Sequence, residues 1–287
     1  MRSFSKMKVA IVGLGQIGGS LAKAFAKRKI FAEIIGVDKN ARTIEKAKRL
    51  KIIHKGTKDM RKAIPEADLI ILAVPVRQII KMLPKIVSSM KKNAILCDVG
   101  STKAEVVGAI GNLKHNVDYI GLHPMAGTEK EGIDGADEGL FTNKTIMVFP
   151  SKNTQKSSLK LILGLIRKME AKALLMDVQI HDEIMAQVSH LPYLFSIALV
   201  NLANNIGYKD TFRVLGGSFR DATRVSLGSA EMTLDILTTN KTNIIRQIDA
   251  LTLELVRYKK LLINGDENKL LGDILKAKQI RSRLKLV

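Results

Sequence analysis

The sequence predicts an α/β protein in which a doubly wound, mostly parallel sheet is followed by an all-helical domain. Up to about residue 177, short apolar and β-branched runs alternate with amphipathic segments. Continuous apolar strands alternating with helices are typical of a parallel sheet that helices cover on both faces. Beyond that point only helical patterns remain. The chain of 287 residues is long enough for two domains, which we place at residues 7–176 and 177–287.

The apolar runs of the first domain each have the length of a buried strand. In chain order they read KVAIVGLG, EIIGVD, DLIILAVP, NAILCDVG, YIGLHP, KTIMVFP and KALLMD. Amphipathic segments lie between most of them. We therefore predict a strand at each run and a helix in most of the connections.

Long helices are predicted for the second domain at residues 178–206, about 230–263, and 267 onward. In the second of these helices, apolar residues recur at spacings of four, three, four and seven, which places them in one stripe along the helix. They are Ile244, Ile248, Leu251, Leu255 and Leu262. Such a stripe either packs within the domain or forms a dimer interface, and we expect a homodimer.

Composition narrows the class of protein. The only cysteine, Cys97, excludes an intrachain disulfide and fits a reducing cytoplasm. No apolar run approaches the roughly eighteen residues needed to cross a bilayer. The basic N-terminus, MRSFSKMK, lacks the apolar segment of a secretory signal. We therefore expect a cytoplasmic protein without a membrane partner.

The net charge of +20 raises the question of nucleic-acid binding. The basic residues are dispersed in short groups, and only four tyrosines and no tryptophan lie among them. Dispersed lysines more often form a solvated surface than a binding groove. A positive field also attracts small anionic substrates. We expect a small-molecule substrate and no nucleic-acid partner.

A glycine motif connects the first predicted strand to the helix that follows it. In KVAIVGLGQIGGSLAKAF, Gly13 permits a tight turn, Gly15 lets a pyrophosphate approach the backbone, and Gly18 lets the helix pack closely on the strand. Gln16 and Ile17 stand at the predicted helix N-terminus, which binds phosphates through its free N–H groups. The pattern predicts a Rossmann-type dinucleotide site.

Three further residues refine this site. Asp38 follows Gly18 by twenty residues, at the end of the second predicted strand, where a carboxylate binds ribose hydroxyls and repels a 2′-phosphate. This favours NAD over NADP, although Arg42 lies four residues beyond. Val74 and Pro75 end a strand beside the expected reversal of strand order. They are candidate walls of the nicotinamide pocket, or simply a strand end followed by a helix that begins with proline.

A hydride-transferring enzyme also needs a group that handles a proton. His123 and Ser101 each lie at the carboxyl end of a predicted strand, and these strands are expected to be neighbours. Taken singly, His123 could be a structural histidine and Ser101 a helix N-cap. As a pair above a dinucleotide site, they are predicted to be catalytic.

Six segments in this chain read GLGQIGGSLA, LAVP, DVGSTK, GLHPMAGTEKEG, VSHLPY and GGSFRDATR. They occur in the order found in the prephenate and arogenate dehydrogenases of tyrosine biosynthesis, and the chain resembles that family. HPMAGTE and SFRDATR are the specific parts, whereas many dehydrogenases share the glycine motif. The resemblance extends from about Met7 into the final helices.

The resemblance implies a role for each matching residue. His123 would accept the proton of the ring hydroxyl as a hydride passes to NAD⁺, and Ser101 would help to hold that hydroxyl and the nicotinamide. Arg224 would bind a substrate carboxylate through its planar guanidinium. Thr128 and Glu129 would line or gate the pocket, and Glu129 could pair with Arg224 when the site is empty.

One position departs from the family pattern. Members commonly read SHLPH where this chain reads SHLPY, so that Tyr193 replaces a histidine that contributes to substrate binding. Tyrosine can donate a hydrogen bond but carries no positive charge near neutral pH. Binding of the substrate side-chain carboxylate would then depend more on Arg224. The same change leaves the choice between prephenate and arogenate open.

Two more histidines lie in the same predicted helix. His190 matches the first histidine of the family motif and is a candidate for substrate binding. Nine residues separate it from His181, so on a regular helix the two lie on opposite sides, although Pro192 is expected to bend this helix. For His181, which precedes Asp182, we expect a capping or surface role.

Together these features predict an NAD-dependent oxidoreductase, with no metal, whose site lies in the cleft between the domains. The predicted reaction is oxidative decarboxylation of prephenate to 4-hydroxyphenylpyruvate, with arogenate as the alternative substrate. A β-hydroxyacid dehydrogenase is the more distant enzyme alternative. A non-catalytic protein that senses NAD or binds nucleic acid is the alternative from another class.

Overall fold

The computed structural model describes residues 3–113, 116–128, 130–208 and 210–284. In this part of the chain, eight strands form one sheet in the order β3-β2-β1-β4-β5-β6-β7-β8. The strands are β1 (Lys8–Val12), β2 (Glu33–Val37), β3 (Lys55–Thr57), β4 (Leu69–Leu72), β5 (Ile95–Asp98), β6 (Asp118–Pro124), β7 (Thr145–Pro150) and β8 (Lys172–Leu175). Neighbouring strands are parallel except for β6 and β7, which pair antiparallel.

Helices connect the strands and then form the second domain. Those of the first domain are α1 (Gln16–Lys27), α2 (Ala41–Arg49), α3 (Met60–Ala63), α4 (Val76–Ser89), α5 (Ala104–Gly111) and α6 (Lys156–Lys168). Those of the second are α7 (Val178–Met185), α8 (Leu191–Asn205), α9 (Gly217–Thr223), α10 (Ala230–Thr239), α11 (Lys241–Asn264) and α12 (Glu267–Arg283). The predicted fold class, a doubly wound sheet followed by helices, is confirmed.

The side chains of β1 show why the strand runs are continuously apolar. Val9 and Ile11 belong to a core that includes residues of α1, α2 and α6. Ala10 and Val12, which alternate with them, belong to a second core with residues of α4 and α5 on the opposite face of the sheet. Because both faces are covered, every position of the strand interior is buried.

Three local features differ from the sequence-based expectation. The edge strand β3 was not predicted, because Lys-Gly-Thr has no apolar pattern. The helix expected at about 230–263 is interrupted at Asn240, whose φ of −121° and ψ of 24° separate α10 from α11. A π-helical turn, Ala186–His190, joins α7 to α8 just before Pro192.

Carboxylates of the second domain bind helix N-termini of the first. Asp182 of α7 accepts hydrogen bonds from the backbone N–H groups of Lys103 and Ala104, at the start of α5. Asp235 of α10 accepts the backbone N–H of Arg77 at the start of α4, at 3.0 Å, and is paired with the Arg77 side chain. Each carboxylate satisfies N–H groups that have no partner within their own helix and meets the positive end of the helix dipole. The two domains are therefore docked by polar contacts beside the sheet edge.

One helical segment, Val178–Asn205, is long and apolar enough to cross a membrane by length and composition. A helix packed in a globular protein passes the same test. This segment carries the buried polar side chains of His181, Asp182 and His190, and ionisable groups are costly inside a bilayer. Because Asp182 and His181 bond to residues of the first domain, the segment is a docked helix of the second domain.

Candidate active site

A cavity of about 710 Å³ opens between the two domains. It lies where the strand order reverses between β1 and β4, which is the usual ligand position in open α/β sheets. Its lining includes Gly15, Gln16, Ile17, Val74, Pro75, Ser101, His123 and Thr128 from the first domain, and His190, Tyr193 and Arg224 from the second. The structure thus brings most of the predicted site residues around one space.

A second depression, of about 770 Å³, lies beside α1 and includes Lys27, Asp134 and Glu138 in its lining. Its charged groups form ion pairs at the surface, such as the pair between Lys27 and Glu138. Exposed ion pairs of this kind are ordinary surface features. The cavity between the domains is the better candidate, because it combines the glycine motif with histidines and a serine.

The three glycines of the motif meet different surroundings. Gly13 has a φ of +92°, and a Cβ atom there would overlap the carbonyl oxygen of Ala73. A Cβ atom at Gly18 would overlap the carbonyl oxygen of Gly13. At Gly15 a Cβ atom would meet nothing within 4 Å. The outer glycines are therefore required by backbone packing, and the middle one leaves open space at the N-terminus of α1.

Asp38 lies directly after β2 and holds the glycine loop. Its Oδ2 accepts the backbone N–H of Leu14 at 2.9 Å, and its Oδ1 accepts the N–H of Asn40 at 2.8 Å. A carboxylate has about four acceptor positions, so capacity remains for two ribose hydroxyls. Arg42 is exposed in the first turn of α2, and its backbone N–H donates to the Asn40 side chain.

Gln16 and Thr128 connect the glycine motif to the loop after β6. The Gln16 side-chain amide donates to the Thr128 hydroxyl, and its Oε1 accepts the Thr128 backbone N–H at 3.0 Å. Gly127 has a φ of +157°, with the Gln16 side chain beside it. These contacts fix one rim of the cavity. Glu129, the next residue, lies outside the described residues.

Ser101 is half-buried in the loop between β5 and α5. It does not cap α5, because Lys103 is the N-cap residue and Asp182 accepts the first N–H groups of the helix. The capping alternative considered for Ser101 is therefore wrong. Ser101 lines the cavity, as do Val74 and Pro75 at the end of β4.

The Ser101 loop rests on a buried ion pair. Asp98, at the end of β5, is paired with Lys103, and both side chains are fully buried. The Tyr119 hydroxyl and the Gly100 N–H also donate to this carboxylate. Burial, and secondly the Asp98 charge, raise the pKa of Tyr119 well above its ordinary value. Removing one partner of such a pair leaves an unpaired buried charge, which costs about 3–5 kcal/mol.

His123 lies near the end of β6, and its ring is hydrogen-bonded to a second histidine. Its Nδ1 is 2.8 Å from Nε2 of His181, and Nδ1 of His181 is 2.7 Å from Oδ1 of Asp182. His181 is fully buried, with the Phe149 ring centroid 4.8 Å from its own. The capping or surface role expected for His181 is wrong, because the docking of α7 against β6 and β7 buries it.

The surroundings of His123 favour its neutral form. Its ring is half-buried at the cavity wall. Burial lowers its pKa well below the ordinary value, and the nearby His181, Lys103 and His190 lower it further. A neutral imidazole has one nitrogen lone pair that can accept a proton.

His190 joins the same network from the other end of the π-helical turn. Its Nδ1 is 3.1 Å from the side-chain nitrogen of Asn240, which also donates to the carbonyl oxygen of Asp182 at 2.6 Å. Burial, and secondly His181, lower the pKa of His190 to about 4, against an opposing effect of Asp182. The regular-helix geometry that separates His181 from His190 does not hold, because the π turn changes the register between them.

Two predicted substrate residues complete the second-domain wall. Tyr193 is half-buried in the first turn of α8, and burial raises the pKa of its hydroxyl. Its ring lies against Gly228, where an added Cβ atom would come within 3.4 Å. Arg224 follows α9 and lines the cavity with an exposed side chain. The site therefore has a phenol hydroxyl and a guanidinium on the wall facing the first domain.

Family profiles account for most of the chain. The nucleotide-binding domain of prephenate dehydrogenase matches residues 21–175, and the dimerization domain of prephenate dehydrogenase matches residues 177–276. The chain belongs to the prephenate dehydrogenase family. It is an oxidoreductase, as the sequence predicts, and its helical domain is the dimerization domain of this family.

Named relatives agree with this assignment. The chain is 31% identical to prephenate dehydrogenase of Bacillus subtilis over 285 residues, which are 98% of this chain and 77% of that protein. It superposes with a TM-score of 0.92 on prephenate dehydrogenase of A. aeolicus in complex with hydroxyphenyl propionate and NAD⁺, at 31% identity, covering 98% and 99% of the two chains. It also resembles arogenate dehydrogenase of Synechocystis, with a TM-score of 0.81 and 29% identity over 96% and 99% of the chains.

Several residues of the site were not predicted from the sequence. No sequence motif indicated that Asn240 or Asp235 belongs to the site. For His181 a capping or surface role was expected, and Asp182 was named only as its neighbour. Their position next to the predicted domain boundary was the available signal, because a helix at that point must pack against the sheet edge.

Proposed function

We propose that this member of the prephenate dehydrogenase family catalyses NAD-dependent oxidative decarboxylation of prephenate to 4-hydroxyphenylpyruvate. The observation that carries the proposal is the position of His123, a neutral imidazole at the wall of a cavity that also contains the glycine motif. Arogenate, which carries an amino acid side chain in place of the pyruvyl group, is the alternative substrate.

The residues present fit a dinucleotide. Gly15 leaves open space at the N-terminus of α1, and no described side chain caps that terminus. The first N–H groups of α1 can therefore bind the pyrophosphate. Asp38 has acceptor capacity for both adenosine ribose hydroxyls and disfavours a 2′-phosphate, which supports NAD over NADP. Val74, Pro75 and Ser101 would surround the nicotinamide, which supplies a hydride acceptor when NAD⁺ is bound.

The chain's own residues would manage the proton and the charges of the substrate. His123 accepts the proton of the ring hydroxyl while the hydride leaves the ring carbon that bears this hydroxyl. Ser101 holds the hydroxyl by a hydrogen bond. Loss of the ring carboxylate as CO₂ then leaves its bonding electron pair in the ring, and the ring oxygen takes back a proton to give the aromatic product. Arg224 binds a carboxylate of the dianionic substrate, and Thr128 lies at the cavity rim. The role predicted for Glu129 stays a prediction from the family resemblance.

Tyr193 and His190 would contact the rest of the substrate. The Tyr193 hydroxyl can donate a hydrogen bond to the side-chain carboxylate but adds no charge to Arg224. In His190, Nδ1 faces the Asn240 amide nitrogen and accepts its N–H, so the ring proton stays on Nε2 and is available as a donor. Tyr193 is the observation that keeps arogenate as a second candidate, because it puts an uncharged group where the family usually has a histidine, and arogenate carries an ammonium group.

We propose that the nucleotide-binding domain spans residues 7–176 and the helical domain residues 177–287, and that two chains pair through the latter. Exposed apolar side chains on α11 support this pairing, among them Leu255 and Leu262 of the predicted stripe. A cytoplasmic location fits a biosynthetic enzyme that uses a soluble dinucleotide.

The test is an absorbance assay for reduced nicotinamide with purified protein. Prephenate and arogenate are each offered with NAD⁺ and with NADP⁺, and we expect turnover fastest with prephenate and NAD⁺. Faster turnover with arogenate would select the alternative substrate. Absence of turnover with both substrates, together with tight and steeply salt-dependent binding of random-sequence DNA, would contradict an enzymatic role and favour a nucleic-acid-binding protein.

A further inference from the structure

We propose that His181 and Asp182 are positioning residues that hold the ring proton of His123 on Nδ1 and so keep its Nε2 free to act as the base. This inference rests on the proposed function and adds two residues to it.

The groups around the Asp182 carboxylate determine which nitrogen of His181 carries the proton. Lys103 N–H lies 3.0 Å from Oδ1 and 3.2 Å from Oδ2, and Ala104 N–H lies 2.8 Å from Oδ2. Both are backbone donors at the positive end of α5, so the carboxylate is the acceptor in each of these contacts. An ionised carboxylate can only accept. The contact at 2.7 Å between Oδ1 and Nδ1 of His181 therefore requires the His181 proton on Nδ1.

The proton position on His181 determines the proton position on His123. We take His181 as the neutral ring, which with its proton on Nδ1 has a lone pair on Nε2. That atom lies 2.8 Å from Nδ1 of His123, so His123 must be the donor in this contact. Neutral His123 then has its lone pair on Nε2, the ring nitrogen that His181 does not occupy. Because His123 lines the cavity, this nitrogen is the one available to a substrate hydroxyl.

The hydrogen-bonded series of Asp182, His181 and His123 requires both domains. His123 belongs to β6, whereas His181 and Asp182 belong to α7, and the same carboxylate caps α5 beside the Ser101 loop. Asn240 supports the second-domain side by donating to the carbonyl oxygen of Asp182. The rings of His123 and His181 meet edge to face, with centroids 5.1 Å apart. Docking of the helical domain therefore sets the orientation and the tautomer of the base together.

The experiment replaces Asp182 by asparagine. In Asp182→Asn the amide oxygen can still accept the N–H groups of Lys103 and Ala104, which turns the amide NH₂ toward His181. His181 then accepts on Nδ1 and donates from Nε2, and the proton of His123 moves to Nε2. We expect kcat to fall roughly 10²- to 10⁴-fold, the scale associated with a lost general base or a wrong histidine tautomer. The dissociation constant for NAD⁺ should change by about twofold or less.

The matched control is Thr239→Val. Thr239 is also buried at the domain junction, where its hydroxyl is 2.7 Å from that of Thr102 and donates to the carbonyl oxygen of Asp235. Its described hydrogen bonds do not include His123, His181 or Asp182. We expect this variant to lose stability and to keep kcat within about twofold of the wild type. Equal losses of kcat in both variants would overturn the proposal, because they would attribute the loss to weakened docking.

Nitrogen NMR of the histidine rings supplies a readout that does not depend on turnover or on any variant. In the wild-type protein we expect a protonated Nδ1 and a bare Nε2 for both His123 and His181. A proton on Nε2 of His123 would overturn the proposal even if prephenate is turned over. The expected NMR pattern without turnover of either substrate would sustain the tautomer assignment and refute the proposed reaction.

Discussion

The two ends of the cavity are built in different ways. The cofactor end, formed by Gly13 to Gly18 together with Asp38, is a connection between consecutive elements and consists mainly of backbone groups. The histidine end joins side chains that are far apart in the sequence. His123 and His181 are separated by 58 residues, and so are Asp182 and Asn240.

This difference explains what each end can do. Backbone N–H groups at a helix terminus bind any phosphate of suitable size and do not titrate. Side-chain imidazoles titrate, and their tautomers depend on every partner along a hydrogen-bonded chain. The cofactor end therefore supplies binding, and the histidine end supplies a proton acceptor that exists in the correct form only after the domains have docked.

The largest effect is expected at the histidine end, in His123→Asn. The amide has no basic nitrogen, so we expect kcat to fall roughly 10²- to 10⁴-fold. The dissociation constant for NAD⁺ should stay within about twofold, because the glycine motif is untouched. The measurements are steady-state kinetics with prephenate and calorimetric titration with NAD⁺.

A matched control for that variant is His54→Asn. His54 is exposed after α2, and its Nδ1 accepts the backbone N–H of Ile34 far from the cavity lining. Its kcat should remain close to that of the wild type. If His123→Asn turned over as fast as His54→Asn, the base would have to be another group, and the contrast between the two ends of the cavity would disappear.

At the cofactor end, Asp38→Ala should have a smaller effect. It removes the acceptor for the ribose hydroxyls, and hydrogen bonds to charged groups contribute about 1.5–3 kcal/mol each. It also frees the Leu14 N–H. We expect KM for NAD⁺ to rise by roughly 10- to 100-fold, with a smaller change in kcat, and the preference for NAD⁺ over NADP⁺ to decrease.

Asp59→Ala is the control for cofactor binding. Asp59 also follows a strand and caps a helix, by accepting the Arg61 N–H at 3.0 Å, but it is not part of the cavity lining. This variant should keep the wild-type KM for NAD⁺. A wild-type enzyme that already reacts faster with NADP⁺ would refute the assignment of Asp38 as the residue that excludes the 2′-phosphate.

The same contrast explains which parts of the molecule the sequence could predict. Gly13, Gly18 and Asp38 follow a local pattern because their roles are set by the backbone of one strand, turn and helix. Most strands were visible for the same reason, since burial on both faces makes them apolar throughout. The edge strand β3 was missed because none of its three residues is fully buried, so its sequence is not apolar.

The histidine end was only partly predictable. His123 and Ser101 were found because strand ends are recognisable positions. For His181 a capping or surface role was expected, since it stands beside the charged Asp182 and nothing local shows that α7 docks on β6 and β7. Pro192 predicted a bend in the first long helix but not the π turn that ends at His190, and no residue pattern predicted the break at Asn240.

The smallest effect should appear in the pH dependence of stability, again at the histidine end. In the folded protein the pKa of His190 is lowered to about 4, and that of His123 is lowered well below its ordinary value. In the unfolded chain both return to about 6.5. As pH falls below about 6.5, the unfolded state therefore binds more protons than the folded state, and the free energy of unfolding decreases until the folded pKa is passed.

For His190 alone we expect the free energy of unfolding to fall by about 1 kcal/mol between pH 7 and pH 5.5. Urea denaturation over this range, compared between the wild type and His190→Gln, measures it: the variant should show a flatter dependence on pH. An equally steep dependence in His190→Gln would show that His190 is not held neutral at the domain junction.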